Sequence, residues 1–258
     1  MLPFFYFFIF VPMEILNKHV TIRQFSGKHI ESEIIESIIY SGTRASTTGN
    51  MQLYSVIITK DQKNKELMAP FHFNQPVAKN APVLLTFAAD FNRFSKWCNL
   101  NEAKPGYENL LSFYTASIDA LLVAQNVCVA AENLGLGICY LGTTIYNAKE
   151  IIEILKLPKL TFPVTTVALG YPEENPDLTD RIPLNGIIHT EKYDDYSNDK
   201  LKELYIFKEN LESSKQFVKE NNKKTLAQVF TDVRYKKTDN EFFSKKMLDT
   251  IIEQGFTL

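Results

Sequence analysis

Ile34, Ile35, Ile38 and Ile39 recur at helical spacing behind Ser32, predicting an amphipathic helix that Ser32 caps and that ends before Gly42. Leu53 to Thr59 is a β-branched run and reads as a strand. Val83 to Ala89, entered through Pro82, reads as a second strand leading into Asp90-Phe91-Asn92-Arg93. Leu110 to Leu134 is mostly apolar and alanine-rich, with Ala116, Ala120, Ala124, Ala130 and Ala131. A helix apolar on most faces predicts a buried central element, and Asp119 within it reads as a helix-surface or interface residue. Gly135-Leu136-Gly137 breaks that helix ahead of a short extended piece, Ile138 to Leu141. Asn147 and Glu150 resemble a capping box for a helix that ends before Pro158. Val164 to Gly170 is a third core strand, and the proline-rich stretch Tyr171 to Pro183 a loop. Residues 195–224 are lysine-rich and predict one exposed helix, and a weaker apolar pattern follows Thr225. Few strands among many helices predict an α+β fold layered around a small sheet.

Composition narrows the function classes. Apolar residues make up 45% and charged residues 22%, ordinary for a globular enzyme. The net charge of -2 supplies no basic field for nucleic acid. Cys98, Cys128 and Cys139 have no short paired spacing, and no clear secretory signal accompanies them, which points to reduced thiols in the cytoplasm. The four histidines lie far apart and form no metal-ligand pattern. Nucleophile elbow, P-loop and dinucleotide fingerprints are missing, so side chains and turn amides must hold any phosphate. Leu2 to Val11 is almost wholly apolar but too short for a bilayer, which needs about 20 residues. It lacks the basic flank and cleavage site of a signal peptide. Residues 1–12 therefore read as a leader added by an upstream start ahead of Met13, with an arm packing on a partner subunit as the alternative.

Two short segments carry the candidate chemistry. His19-Val20-Thr21-Ile22-Arg23-Gln24-Phe25 is a basic, hydroxyl-bearing stretch ahead of the first long helix. Ser46-Thr47-Thr48-Gly49-Asn50-Met51-Gln52 is a polar, small-residue turn that runs into the first strand. Each alone is typical of solvated surface. Asp90-Phe91-Asn92-Arg93 and Leu134 to Gly142 accompany them, as does the block from Leu169-Gly170-Tyr171-Pro172 through Asn175-Pro176-Asp177-Leu178 to Arg181-Ile182-Pro183. With these, the chain resembles the nitroreductase family of FMN-dependent, oxygen-insensitive NAD(P)H nitroreductases and flavin reductases. The resemblance runs from Asn17 to His189, and its last block is the most specific.

The resemblance implies a small mixed, mostly antiparallel sheet flanked by helices, in an interlocked homodimer. It implies an FMN-binding core over 13–195 and a tail over 196–258 that packs on the core or the partner. The FMN contacts it implies are His19, Val20, Thr21, Arg23, Ser46, Thr47, Thr48, Asn50, Gln52, Gln75, Tyr140, Leu141, Gly142, Thr143 and Arg181. Arg23 and Arg181 are the phosphate candidates, because guanidinium forks match phosphate oxygens. Ser46 to Gln52 supply ribityl and ring-edge hydrogen bonds, and Gly142 lets backbone approach the ring. Val20 stands where the family has an arginine, Thr179 where it often has a lysine, and Thr143 where it often has a second glycine. No metal and no catalytic side chain are implied, since the cofactor carries the chemistry. Hydride passes from NADPH or NADH to the flavin, and a small-molecule acceptor (a nitroaromatic, a quinone or free flavin) follows in a ping-pong cycle. Neither nucleic acid nor membrane is an expected partner. The alternatives are a flavin-binding protein with a non-redox or sensing role, and the same fold with reductive dehalogenation chemistry.

Overall fold

A computed structural model describes residues 14–257 of the chain, so the leader expected at 1–12 lies outside the described residues. Two compact units are present among the described residues: 14–178 together with 247–257, and Thr179–Lys246. The expected boundary at residue 195 falls inside the second unit.

The first unit is built on a four-stranded sheet: β1 (Tyr54–Thr59), β2 (Val83–Asp90), β3 (Gly137–Leu141) and β4 (Thr161–Gly170). The strand order is β1-β2-β4-β3, and every pairing is antiparallel. A single parallel bridge, Thr21 to Ile138, attaches the N-terminal segment outside β3. Helices α1 (Ser32–Gly42) and α4 (Leu110–Asn133) cover one face, where Leu85, Phe87, Ile138, Val167 and Leu169 meet Ile35, Ile38, Val123 and Val127. Helices α2 (Gln62–Met68) and α5 (Ala148–Leu155) cover the other, where Leu84, Cys139, Leu141 and Ala168 meet Met68 and Ile151. Alternation along each strand sends neighbouring residues to opposite layers. α3 (Asn92–Leu100) follows β2 directly.

Several expectations needed correction. Ser32 is the first residue of α1 and not its cap: Glu31 holds the N-cap position, without a side-chain capping bond. β4 begins at Thr161, three residues ahead of the expected Val164. The register shifts between Phe87 and Ala88, so Pro163 sits at a bulge, where a residue without N–H is tolerated inside a sheet. Asn147 does not cap α5; its side-chain amide donates to the Phe71 carbonyl instead, at 2.8 Å. Helix α4 is not buried all round. A stripe of small residues (Ala116, Ala120, Ala124, Ala131) packs on the sheet, while Leu111, Tyr114, Ile118, Leu121 and Leu122 are exposed on the opposite side. By length and composition α4 also qualifies as a bilayer-crossing helix, and no other described helix does.

In the second unit the lysine-rich region forms two helices, α6 (Asn198–Asn210) and α7 (Glu212–Glu220), separated at Leu211, whose backbone is extended. Ser197 caps α6 by accepting from the Lys200 N–H. Leu204 packs against Gly186, where a Cβ would lie 2.7 Å from its methyl group. Phe230–Arg234 forms a single π-helical turn ahead of α8 (Lys237–Glu253), which ends in the first unit.

Candidate functional site

His19 to Phe25 runs beside β3. The Ile22 N–H donates to the Ile138 carbonyl at 2.9 Å, and the buried Ile22 side chain lies over Gly137. A Cβ at Gly137 would sit 2.7 Å from Ile22, so only glycine allows this approach. Extended backbone turns alternate side chains to opposite sides, so Thr21 and Arg23 share the side away from Ile22, with Arg23 exposed. Two carboxylates brace the segment. Glu132 on α4 accepts from His19 Nδ1 at 2.6 Å. Glu174 Oε1 accepts the successive N–H groups of Arg23 and Gln24. Those backbone bonds, with the Arg23 charge adding less, hold the Glu174 carboxyl below its ordinary range.

Tyr140 and Leu141 end β3, and Gly142 and Thr143 begin a 3-10 helix that runs to Asn147. A Cβ added at Gly142 would meet no described atom within 4 Å, so the backbone there is open to a flat ligand. The Tyr140 hydroxyl donates to Gln125 at 3.3 Å. Burial raises the Tyr140 hydroxyl well above its usual value and pushes the Cys128 thiol up to about 12. Burial also raises Cys139. The three cysteines are buried and unbridged, and Cys128 and Cys139 are held in the thiol form, which suits packing and not redox chemistry.

Gln75 ends a loop that is hydrogen-bonded to the same 3-10 turn. The loop Ala69–Gln75 is joined to it by the Asn147–Phe71 bond and by His72 Nδ1, 2.9 Å from Thr143 Oγ1. His72 is fully buried, and desolvation lowers it to about 4, so the imidazole is neutral at physiological pH.

Ser46 to Gln52 sits at the opposite edge of the sheet, leading into β1. Its backbone is left-handed at Gly49 (φ 55°), Asn50 (φ 56°) and Gln52 (φ 54°), a run that suits Gly and Asn. Asp119 holds this turn. Its carboxylate accepts from the Thr48 N–H (3.0 Å), the Thr48 hydroxyl (3.2 Å) and the Leu53 N–H (3.2 Å). The expectation for Asp119 was therefore wrong: it is 1% exposed and shapes the turn. The Arg93 guanidinium donates to the Gln52 carbonyl, while Asp90 accepts from Ser55 Oγ (2.5 Å) and the Arg93 N–H (3.1 Å).

Within the first unit the first segment runs beside β3, the strand that ends at Tyr140 and Leu141, and the loop that ends at Gln75 is bonded to the 3-10 turn through Phe71 and His72. It does not bring Ser46 to Gln52 to them. The two halves are tied to the same helix at Asp119 and Glu132, thirteen residues apart, or about 20 Å along the axis. Arg181 belongs to the second unit, where its guanidinium donates to Thr179 Oγ1 at 2.6 Å and to the carbonyls of Thr179 and Asp180. Asp180 is itself paired with Lys208 at 2.8 Å. The sequence reading missed Glu132, Glu174 and His72. A glutamate breaking the alanine-rich register of α4 was the available signal for the first; nothing local marked the other two.

A model of the Nitroreductase family matches residues 16–171. An NADPH-dependent oxidoreductase of Staphylococcus epidermidis is 31% identical over 251 residues, covering 94% of this chain and 96% of the relative. A crystal structure of a Bacteroides fragilis protein described as an oxidoreductase is 52% identical, with a TM-score of 0.94 over 95% of this chain and 100% of that one. The NADPH:FMN oxidoreductase of Vibrio harveyi, complexed with NAD+, is 25% identical, with a TM-score of 0.72 over 84% of this chain and 94% of that one.

Proposed function

Because this chain belongs to the nitroreductase family and is an NAD(P)H-dependent oxidoreductase, we propose that it holds FMN between His19–Arg23 and Ser46–Gln52 and reduces small electron acceptors. One observation carries the reading. A single helix, α4, uses two carboxylates, Glu132 and Asp119, to brace two segments rich in exposed hydrogen-bonding groups. Such an arrangement binds and orients a polar ligand. FMN, when bound, supplies the two-electron chemistry by taking hydride from the nicotinamide and passing electrons to the acceptor.

The residues present fit that cofactor. Arg23 offers a guanidinium fork to the phosphate, with Thr21 on the same side of the chain and His19 oriented by Glu132. Arg181 is assigned to the phosphate by the resemblance alone. The open backbone at Gly142 suits the ring face, and Gln75 with the Ser46 to Gln52 turn suits its polar edge and the ribityl chain. The NADPH dependence of the Staphylococcus epidermidis relative supports NADPH as donor. A flat, open site selects acceptors by stacking, so nitroaromatics, quinones and free flavins are the proposed substrates. Three unbridged cysteines favour the cytosol as its compartment.

The two halves lie at opposite sheet edges, so one chain does not close the site. A homodimer does: Ser46–Gln52 of one copy completes the site that His19–Arg23 of the other begins. The exposed stripe Leu111, Tyr114, Ile118, Leu121 and Leu122 on α4 supplies an apolar face for that association.

Anaerobic titration of the purified protein with NADPH and then NADH tests the reading. The expected result is a yellow protein whose flavin band bleaches and returns on adding a nitroaromatic or quinone. A flavin that stays oxidised under excess NADPH and NADH points to a binding role instead.

A further inference from the structure

His72 closes the short turn Ala69–His72, and its side chain is fully buried. Nδ1 contacts Thr143 Oγ1, while Nε2 is buried with no hydrogen-bond partner among the described residues. A proton on Nε2 would be an unpaired buried donor; a bare lone pair there costs less. The hydrogen-bond network therefore places the proton on Nδ1, and His72 donates to Thr143. The backbone of the same residue does a second job. Phe73 and Asn74 are both left-handed (φ 54° and 53°), and the chain reverses so that the Gln75 N–H donates to the His72 carbonyl at 3.1 Å. One residue thus fixes Gln75 through its carbonyl and Thr143 through its imidazole.

We propose that His72 is a positioning residue of the flavin site, locking the Gln75 loop onto the Gly142–Thr143 turn so that two contacts distant in sequence approach the cofactor as one rigid edge. The inference rests on the FMN reading above. Burial that keeps the imidazole neutral also keeps the lock closed across the physiological range.

The full-length variants His72→Phe, His72→Asn, His72→Gln, Thr143→Val, Thr143→Ser and the Phe/Val double variant test it. Three quantities are read: the FMN dissociation constant, the visible circular dichroism of bound flavin, and the urea midpoint of the flavin-free protein. His72→Phe and Thr143→Val should each weaken FMN about fivefold, the size of one neutral hydrogen bond. Both should shift the flavin band, and the double variant should be no worse than either, because both remove the same contact. Thr143→Ser, and His72→Asn with its amide near the Nδ1 position, should return FMN affinity to within about twofold of the parent. His72→Gln, whose amide reaches toward Nε2, should not. If His72→Phe does not fold, the Asn/Gln contrast decides on the same readouts. A lower urea midpoint with parental FMN affinity and an unshifted flavin band would assign His72 to packing alone and overturn the proposal. A parent protein that binds no added FMN overturns the FMN reading and this proposal with it; a flavin-loaded parent with indifferent variants overturns this proposal only.

Discussion

Replacing Asp119 is the most direct test of how the second half-site is held. In the parent, both carboxylate oxygens are used: Oδ1 by the Thr48 N–H and hydroxyl, Oδ2 by the Leu53 N–H. Asn keeps one acceptor and turns an NH2 group toward the other donor. If Asn retains the Thr48 contacts, the fully buried Leu53 N–H faces a donor and is left unpaired. An orphaned buried donor costs about 1–3 kcal/mol, and losing the charge weakens the remaining bonds, so Asp119→Asn should destabilise by roughly 2–4 kcal/mol. Asp119→Ala removes all three acceptor contacts, but Thr48 is exposed and can turn to water, which limits the cost to roughly 3–5 kcal/mol. With a urea slope of about 3 kcal/mol/M, the Asn variant should lose about 1 M in midpoint. Urea unfolding of the flavin-free protein followed by near-UV circular dichroism reads this. FMN titration of the folded variant should show affinity about tenfold weaker, because the donors of the turn lose their fixed orientation. An unchanged midpoint together with unchanged FMN affinity would refute the claim that this carboxylate shapes the site.

Three further outcomes are expected. Arg23→Ala should weaken FMN by about 1.5–3 kcal/mol, the value of an ionic hydrogen-bonded contact, since Val20, where the family has an arginine, offers no substitute charge; equilibrium dialysis checks this, and parental affinity would place the phosphate elsewhere. Burial lowers His72 to about 4 in the fold against an ordinary value of about 6.5, so it is protonated first in the unfolded chain as pH falls. Its contribution is present above pH 6.5 and lost between 6.5 and 4, by about 3 kcal/mol at about 1.4 kcal/mol per pH step; urea midpoints of the parent and His72→Asn measured down that range should converge, and parallel curves would contradict it. Leu121→Glu, on the exposed face of α4, should give a monomer that has also lost FMN when sedimentation is followed at protein and flavin wavelengths, whereas a monomer retaining tight FMN would show that one chain suffices.

The sequence by itself determined most of the first unit's elements and marked the two segments proposed as half-sites. The isoleucine spacing of α1, the β-branched runs of β1 and β2 and the alanine stripe of α4 are local patterns, and local patterns survive without knowledge of the fold. The segments around Arg23 and Gly49 are each ordinary polar surface by local pattern, and it was their resemblance to a family, taken together, that marked them. What tertiary structure decided is which of these groups meet. Asp119 reads from sequence as a helix-surface or interface residue because its partners, Thr48 and Leu53, lie far back in the chain, and a lone acid in an apolar helix does not reveal them. Glu132 and His19, Glu174 and Arg23, and His72 and Thr143 are likewise pairs joined only by packing. The break at Leu211 involves no Gly or Pro, so periodicity ran through it. The sheet order β1-β2-β4-β3 is set by long-range strand pairing, invisible to any short window, and it puts the two proposed half-sites at opposite edges. Hydrophobic spacing fixes what a segment becomes; buried hydrogen bonds between distant segments fix where its polar groups point.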